Sequence, residues 1–169
     1  MRNILSILVA LLVLVGLSLL PEHNRSSGDP QIIQGEVVYV SDGDTLTLRD
    51  NLNQDHRIRL VGIDAPELAQ PYGQTSKQVL AQRVLQEQVV IKSYGTDKYG
   101  RTLGRILLGA QDINAVMVER GAAWVYRGSS VDKTLMGLES QARSEKRGLW
   151  KLPRAEQVNP QTWRRLQSP

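Results

Sequence analysis

Four carboxylates and an arginine crowd the stretch VSDGDTLTLRDNLNQDHRIRLVGIDAPEL at residues 40–68: Asp42, Asp44, Asp64 and Glu67, with Arg59 among them. Charges beside apolar strands must be solvated, paired or metal-bound, because burying them alone is costly. Asp44 and Asp64 fall at the ends of two strands that the hairpin pattern sets side by side, so their oxygens can converge on one hard cation. Calcium suits an oxygen-only set on a flexible loop better than magnesium, which demands a strict octahedron. A cation held by two aspartates, with Arg59 and Arg101 nearby, can bind a phosphodiester and spread the charge that grows on its oxygens. The planar guanidinium fork grips phosphate oxygens two at a time. Glu67 can orient or deprotonate an attacking water, or cap the helix that follows. Taken singly these pieces are ordinary turns and helix entries, and the combination carries the reading.

The elements that must position these residues are legible in order. IIQGEVVYV from residue 32 is rich in β-branched residues and runs into Asp42-Gly43, a hairpin signal. TLTLR at 45–49 alternates, 50–54 is a second turn, and 56–63 alternates again with Ile58 and Leu60 on one face and Arg57 and Arg59 on the other. A helix is expected over 74–87 on Val79, Leu80, Val84 and Leu85, then strands at 88–95 and 101–108 joined by a tight turn at Asp97-Lys98-Tyr99-Gly100. Asp112 can cap a short helix ending near Gly121, and 132–147 reads as a longer one with Leu135, Leu138 and Ala142 as its apolar stripe and Gly148 as its stop. The sum is an α+β, mainly β domain: a five-stranded OB-fold barrel with about three helices. With no Phe in the chain, Trp124, Trp150, Tyr39 and Tyr126 are expected to supply the aromatic packing.

Outside the domain, the run ILSILVALLVLVGLSLL at 4–20 has no charge and follows Arg2, as in an export signal or a membrane anchor (1–20). Either alternative leaves the domain facing outward, secreted or tethered to the membrane. Residues 21–30 read as a linker, 31–150 as the domain, and 151–169 as a basic tail. The tail is not periodic, and it reads either as an extended strap that packs Trp163 back on the domain or as a basic contact for nucleic acid or anionic lipid. The absence of cysteine excludes disulfides and thiolate chemistry and disfavours structural zinc. The formal charge is +4, of which the tail carries +3 and the first thirty residues none, leaving +1 for 31–150. Nucleic acid would therefore be gripped by placed charges and not by bulk basicity.

Three segments, VSDGDT at 40–45, IRLVGIDAPE at 58–67 and TDKYGR at 96–101, resemble in content, order and separation the signature blocks of the staphylococcal nuclease (thermonuclease) family. The likeness runs from about Gln31 to Trp150. It implies a calcium-dependent endonuclease that cleaves DNA and RNA with little sequence selectivity and leaves 3′-phosphates. By position it implies Asp44 and Asp64 as calcium ligands with the Ala65 carbonyl, and Arg59 and Arg101 as phosphate clamps. Glu67 would be the general base, Lys98 and Tyr99 would contact a substrate phosphate, and Asp42 would support the metal loop. The chain is expected to act as a monomer. The competing expectation is a non-catalytic OB-type module for single-stranded nucleic acid or a protein ligand, which would need spare stacking aromatics, and few are expected here.

Overall fold

The structure is a computed structural model that describes residues 30–128 and 132–167. The apolar run at 4–20 and the expected linker before residue 30 lie outside the described residues. No helix among the described residues is long and apolar enough to cross a membrane.

Strand β1 (Gln31–Val40) is shared by both halves of the sheet, pairing antiparallel with β2 (Thr45–Asp50) and with β5 (Gln88–Thr96). β2 continues to β3 (Asp55–Leu60), and β5 continues to β6 (Thr102–Leu108). β3 and β6 then pair in parallel, Ile58 opposite Thr102 and Leu60 opposite Gly104, which closes the sheet into the expected five-stranded barrel. A register shift between Val37 and Tyr39 bends the long strand so that it can serve both sides. The alternation read from the sequence holds: Val37, Leu46, Leu48, Ile58, Leu60, Ile91 and Ile106 are fully buried inside.

Short pieces complete the rim. β4 (Ile63–Asp64) pairs antiparallel with β8 (Trp124–Val125), and β7 (Gln111–Asp112) extends β6. Helix α1 (Gly73–Val84) packs Leu80 and Val84 on the barrel, while Leu85, counted in its apolar face from the sequence, is exposed because the chain has already turned extended there. Its N-cap is Tyr72, so the helix starts too late for Glu67 to cap it. Asp112 caps α2 (Ile113–Glu119) through the Ala115 amide, as the sequence suggests. Asp132 caps α3 (Lys133–Ser144), whose inner stripe holds Leu135, Ala142 and the carboxylate of Glu139.

Two aromatic expectations change. Tyr39 and Tyr126 are exposed, 56% and 45%, and the aromatic packing falls to Trp124 and Trp150, ring centroids 4.5 Å apart with the Arg143 guanidinium over both. The tail is not an extended strap. Two 3-10 turns, Gly148–Lys151 and Arg154–Glu156, lead into a fourth helix, α4 (Pro160–Gln167), which carries Trp163, Arg164 and Arg165.

Asn114 fastens the barrel's closing seam. Its Oδ1 accepts the Ile106 amide at 3.0 Å, and its Nδ2 donates to the carbonyls of Val61 and Gly104. Since Asn114 is fully buried, its loss leaves those backbone groups unpaired in a dry place. Asn114→Ala is therefore expected to lower the urea-unfolding free energy by about 2–4 kcal/mol with an unchanged m-value.

Candidate active site

Register places the charged residues before any long-range contact is needed. Thr45 pairs with Arg59 across β2 and β3, so the arginine emerges beside Asp44 at the mouth of the hairpin. The guanidinium then reaches around the end of β3, donating to the carbonyls of Leu60 at 2.7 Å and Ile63 at 3.0 Å. It pairs with both aspartates, Nε to Asp44 Oδ1 at 3.2 Å and Nη2 to Asp64 Oδ1 at 3.0 Å. Asp64 is fixed from its other side by the β4–β8 pairing, where it lies opposite Trp124. Glu139 anchors that pairing from α3 by accepting the Val125 amide at 2.9 Å and an ion pair from Arg127.

Asp44 is 7% exposed and Asp64 2%. The Asp44 carboxylate accepts the Ala65 amide at 2.6 Å and the Thr45 hydroxyl at 3.1 Å. Its turn fits against α1 only because residue 43 is glycine: a Cβ there would lie 1.9 Å from Ser76 Oγ. Burial pushes the Asp44 pKa up to about 7; Arg59 opposes the rise, and the negative charges of Asp42 and Asp64 add to it. A buried carboxylate pair is suited to a divalent cation, since its donors are hard oxygens. Among the described residues no group of three or more His, Cys, Asp and Glu side chains is placed to hold a metal. A cation here would therefore rest on Asp44 and Asp64, completed by carbonyl and water oxygens, as calcium's loose geometry permits.

Glu67 follows on a loop that closes tightly under α1, where a Cβ on Gly73 would lie 1.8 Å from the Glu67 carbonyl oxygen. Across the cleft, the Asp97–Gly100 turn presents Arg101. Asp97 Oδ1 accepts the amides of Tyr99 and Arg101, and its Oδ2 holds the Arg101 guanidinium at 2.7–2.8 Å. Partial burial pushes the Asp97 pKa up, but these hydrogen bonds outweigh it and hold the group below the ordinary carboxylate range. Lys98 does not line the cleft; its ammonium sits 5.0 Å over the ring of Tyr99, with Arg101 5.5 Å from that ring.

The cleft is about 1140 Å³, above the ~300–1,000 Å³ usual for a small-molecule pocket. Asp42, Asp44, Arg59, Ala65, Glu67 and Arg101 line it together, so residues far apart in sequence meet in one groove. Three further features were missed from sequence. Tyr94 and Tyr126 join the expected Tyr99, all exposed at its wall, so stacking aromatics are not scarce as expected. Arg57 and Arg105 add cationic lining, Arg105 being paired with Asp132 at 3.0 Å. Arg164 enters from α4, donating to Glu67 Oε1 at 2.6 Å and to Asp64 Oδ2 at 2.9 Å. Burial lowers the Arg164 pKa, but its hydrogen bonds to those two carboxylates more than offset it, leaving the group above its ordinary value. Only the basic character of the tail hinted at this residue; nothing in its spacing pointed to Asp64.

A closed five-stranded barrel with Asp44, arginines and exposed tyrosines in one groove, and Asp64 buried against the Arg59 and Arg164 that line it, defines an OB-type barrel equipped for phosphodiester chemistry. The chain belongs to the staphylococcal nuclease family: the profile of the family described as Staphylococcal nuclease homologue matches residues 57–152. It is 42% identical over 133 residues to an uncharacterized endonuclease of Escherichia coli, covering 78% of this chain and 85% of that protein. It is 39% identical over 143 residues to the micrococcal nuclease of Shigella flexneri, 78% of this chain and 80% of that one. A protein of Escherichia coli called ParB is 40% identical over 144 residues, 79% and 80% of the two chains. The chain is a hydrolase of the endonuclease class, with nucleic acid as its substrate.

The raised pKa of Asp44 has a measurable consequence. The folded chain keeps a proton that the unfolded chain releases between about pH 4 and 7, so stability falls as pH rises through that window. Asp50, Asp55, Asp97, Asp132 and Glu145 are shifted downward and act in the opposite sense only in more acid solution. In chelator, the protein is expected to be about 1–2 kcal/mol more stable at pH 5.5 than at pH 7.5, and Asp44→Asn to remove most of that difference in thermal melts.

Proposed function

We propose that this protein is a calcium-dependent endonuclease that acts outside the cytoplasm on DNA and RNA, reads backbone more than base, and leaves 3′-phosphates. The observation that carries the reading is the pair of buried aspartates bridged by Arg59, with Glu67 and Arg101 lining the same groove. Calcium bound by Asp44, Asp64 and the Ala65 carbonyl would supply positive charge at the phosphoryl oxygens and favour ionisation of coordinated water.

The chain's own residues do the remaining work. Arg59, held by two backbone carbonyls, and Arg101, held by Asp97, are preorganised donors for charge that develops on the phosphoryl oxygens. Glu67, 41% exposed at its side chain, takes the proton from the attacking water as the bond to the 5′-oxygen breaks, and the leaving 5′-oxygen takes a proton from solvent. Asp42 accepts the Asp44 amide at 2.9 Å and shapes the turn from which Asp44 projects. Tyr99, with Lys98 against its ring, contacts a neighbouring phosphate. Phosphate contacts fix position and carry little sequence information, which accounts for low selectivity. Export is supported by the apolar run at 4–20 behind Arg2, and the chain acts as a monomer. Fractionation of cells expressing it is expected to place the protein with the membrane or outside the cell.

Digestion of plasmid and single-stranded DNA with calcium, and again with chelator, tests the activity; absence of calcium-dependent cleavage by the folded protein would overturn it. Glu67→Ser and Arg101→Ala are each expected to lower kcat/KM by about 10³-fold, roughly 4 kcal/mol of transition-state stabilisation, while the melting temperature stays close to wild type. Wild-type turnover in either variant would sink that residue's assignment.

A further inference from the structure

The C-terminal segment is tied to the loop carrying Asp64 and Glu67 at two independent points. The first joins side chains: one guanidinium, that of Arg164, spans the Glu67 and Asp64 carboxylates. The second runs through Gln70, which is 4% exposed: its Nε2 donates to the carbonyl of Val158, and its Oε1 accepts the Glu67 amide at 3.2 Å. The tail thus holds Glu67 by both side chain and backbone.

The segment is braced along its length. Gln157 Nε2 donates to the carbonyls of Trp150 and Leu152, at 3.3 and 2.7 Å, and Pro160 at the head of α4 is buried. A glutamate has several rotatable bonds, and on a surface loop it samples many rotamers of which few face a substrate-bound water. A bidentate arginine restricts that freedom, because its planar fork fixes direction as well as distance.

We propose that Arg164 is a positioning residue of the active site: it fixes Glu67 relative to Asp64, with Gln70 fixing the backbone beneath, so that residues 151–167 are part of the catalytic apparatus. This rests on the reading of Glu67 as the group that receives the proton from water. The test compares Arg164→Ala, Arg164→Lys and Arg165→Ala in the full chain, alone and combined with Glu67→Gln. Arg165 lies on the same helix and is exposed, so its variant controls for lost net charge. Arg164→Ala is expected to lower kcat about 10–100-fold with KM changed less than about threefold. Arg164→Lys should recover part of the loss, and Arg165→Ala should match wild type. In the Glu67→Gln background Arg164→Ala should cost less than about threefold more, because the proton acceptor that Arg164 positions is already gone.

A second readout is independent of turnover. In chelator, amide hydrogen exchange across residues 64–70 is expected to quicken about tenfold in Arg164→Ala, while the 97–101 turn is unchanged. Higher kcat in Arg164→Ala would show the tail to be a plug and overturn the proposal. Fully additive losses with Glu67→Gln, or exchange at 64–70 equal to wild type, would overturn it equally. If wild type shows no calcium-dependent cleavage, the functional reading fails, and the exchange measurement still decides whether the tail governs the loop.

Discussion

Two carboxylates buried at one end of a barrel are the constraint around which the rest is arranged. Asp44 ends the turn before β2 and Asp64 lies in β4, and each sits where water has little access. Leaving two like charges there is expensive, and the structure answers first with Arg59. That arginine cannot swing away easily, because the carbonyls of Leu60 and Ile63 hold its Nη1. The same interaction therefore sets the end of β3, the turn into β4 and the spacing of the two aspartates. Compensation is incomplete at Asp44, where burial and the neighbouring carboxylates outweigh Arg59 and push the pKa up to about 7. A site under that tension favours any cation that fits, which is a useful state for one that must bind a metal and an anionic polymer together.

Much of this was legible in the sequence. The barrel strands are visible because one face of each is buried: period-two alternation in TLTLR and HRIRL puts Leu46, Leu48, Ile58 and Leu60 inside and the arginines out. The hairpin signal at Asp42-Gly43 then brings Asp44 beside Arg59 with no long-range information. Arg101 could be placed in the same site because the Asp97 turn is local, its capping carboxylate and the arginine being four residues apart.

What stayed hidden depended on contacts between distant segments. At eight residues α4 is too short to announce itself, and helices of this length gain most of their stability from packing, which a sequence pattern does not encode. Arg164 meets Asp64 across 100 residues. Glu139 was invisible for the opposite reason. It sits at a core position of α3, where a carboxylate reads as an interruption, and only the structure shows the Val125 amide and Arg127 that satisfy it. The exposed tyrosines were misjudged because a chain without Phe invites every aromatic into the core, whereas Val, Leu and Ile fill this barrel unaided.

The distribution of charge links the barrel to its chemistry. A domain of residues 31–150 with a net charge of only +1 attracts nucleic acid weakly over its surface as a whole. Its arginines are instead spent in fixed places: Arg59 against the aspartates, Arg101 against Asp97, Arg105 against Asp132, Arg164 against Glu67. Each is held by a carboxylate that sets its direction, and charges fixed in this way reorganise little when an anion approaches. Fixed dipoles and ions of this kind act on the transition state more than on the ground state, and they favour turnover over tight binding. A uniformly basic surface would bind the polymer harder and release it more slowly. By placing few cations and orienting every one, the fold keeps its grip local to the bond that breaks, and α4 extends that economy by bringing its arginine from the far end of the chain to the loop that needs it.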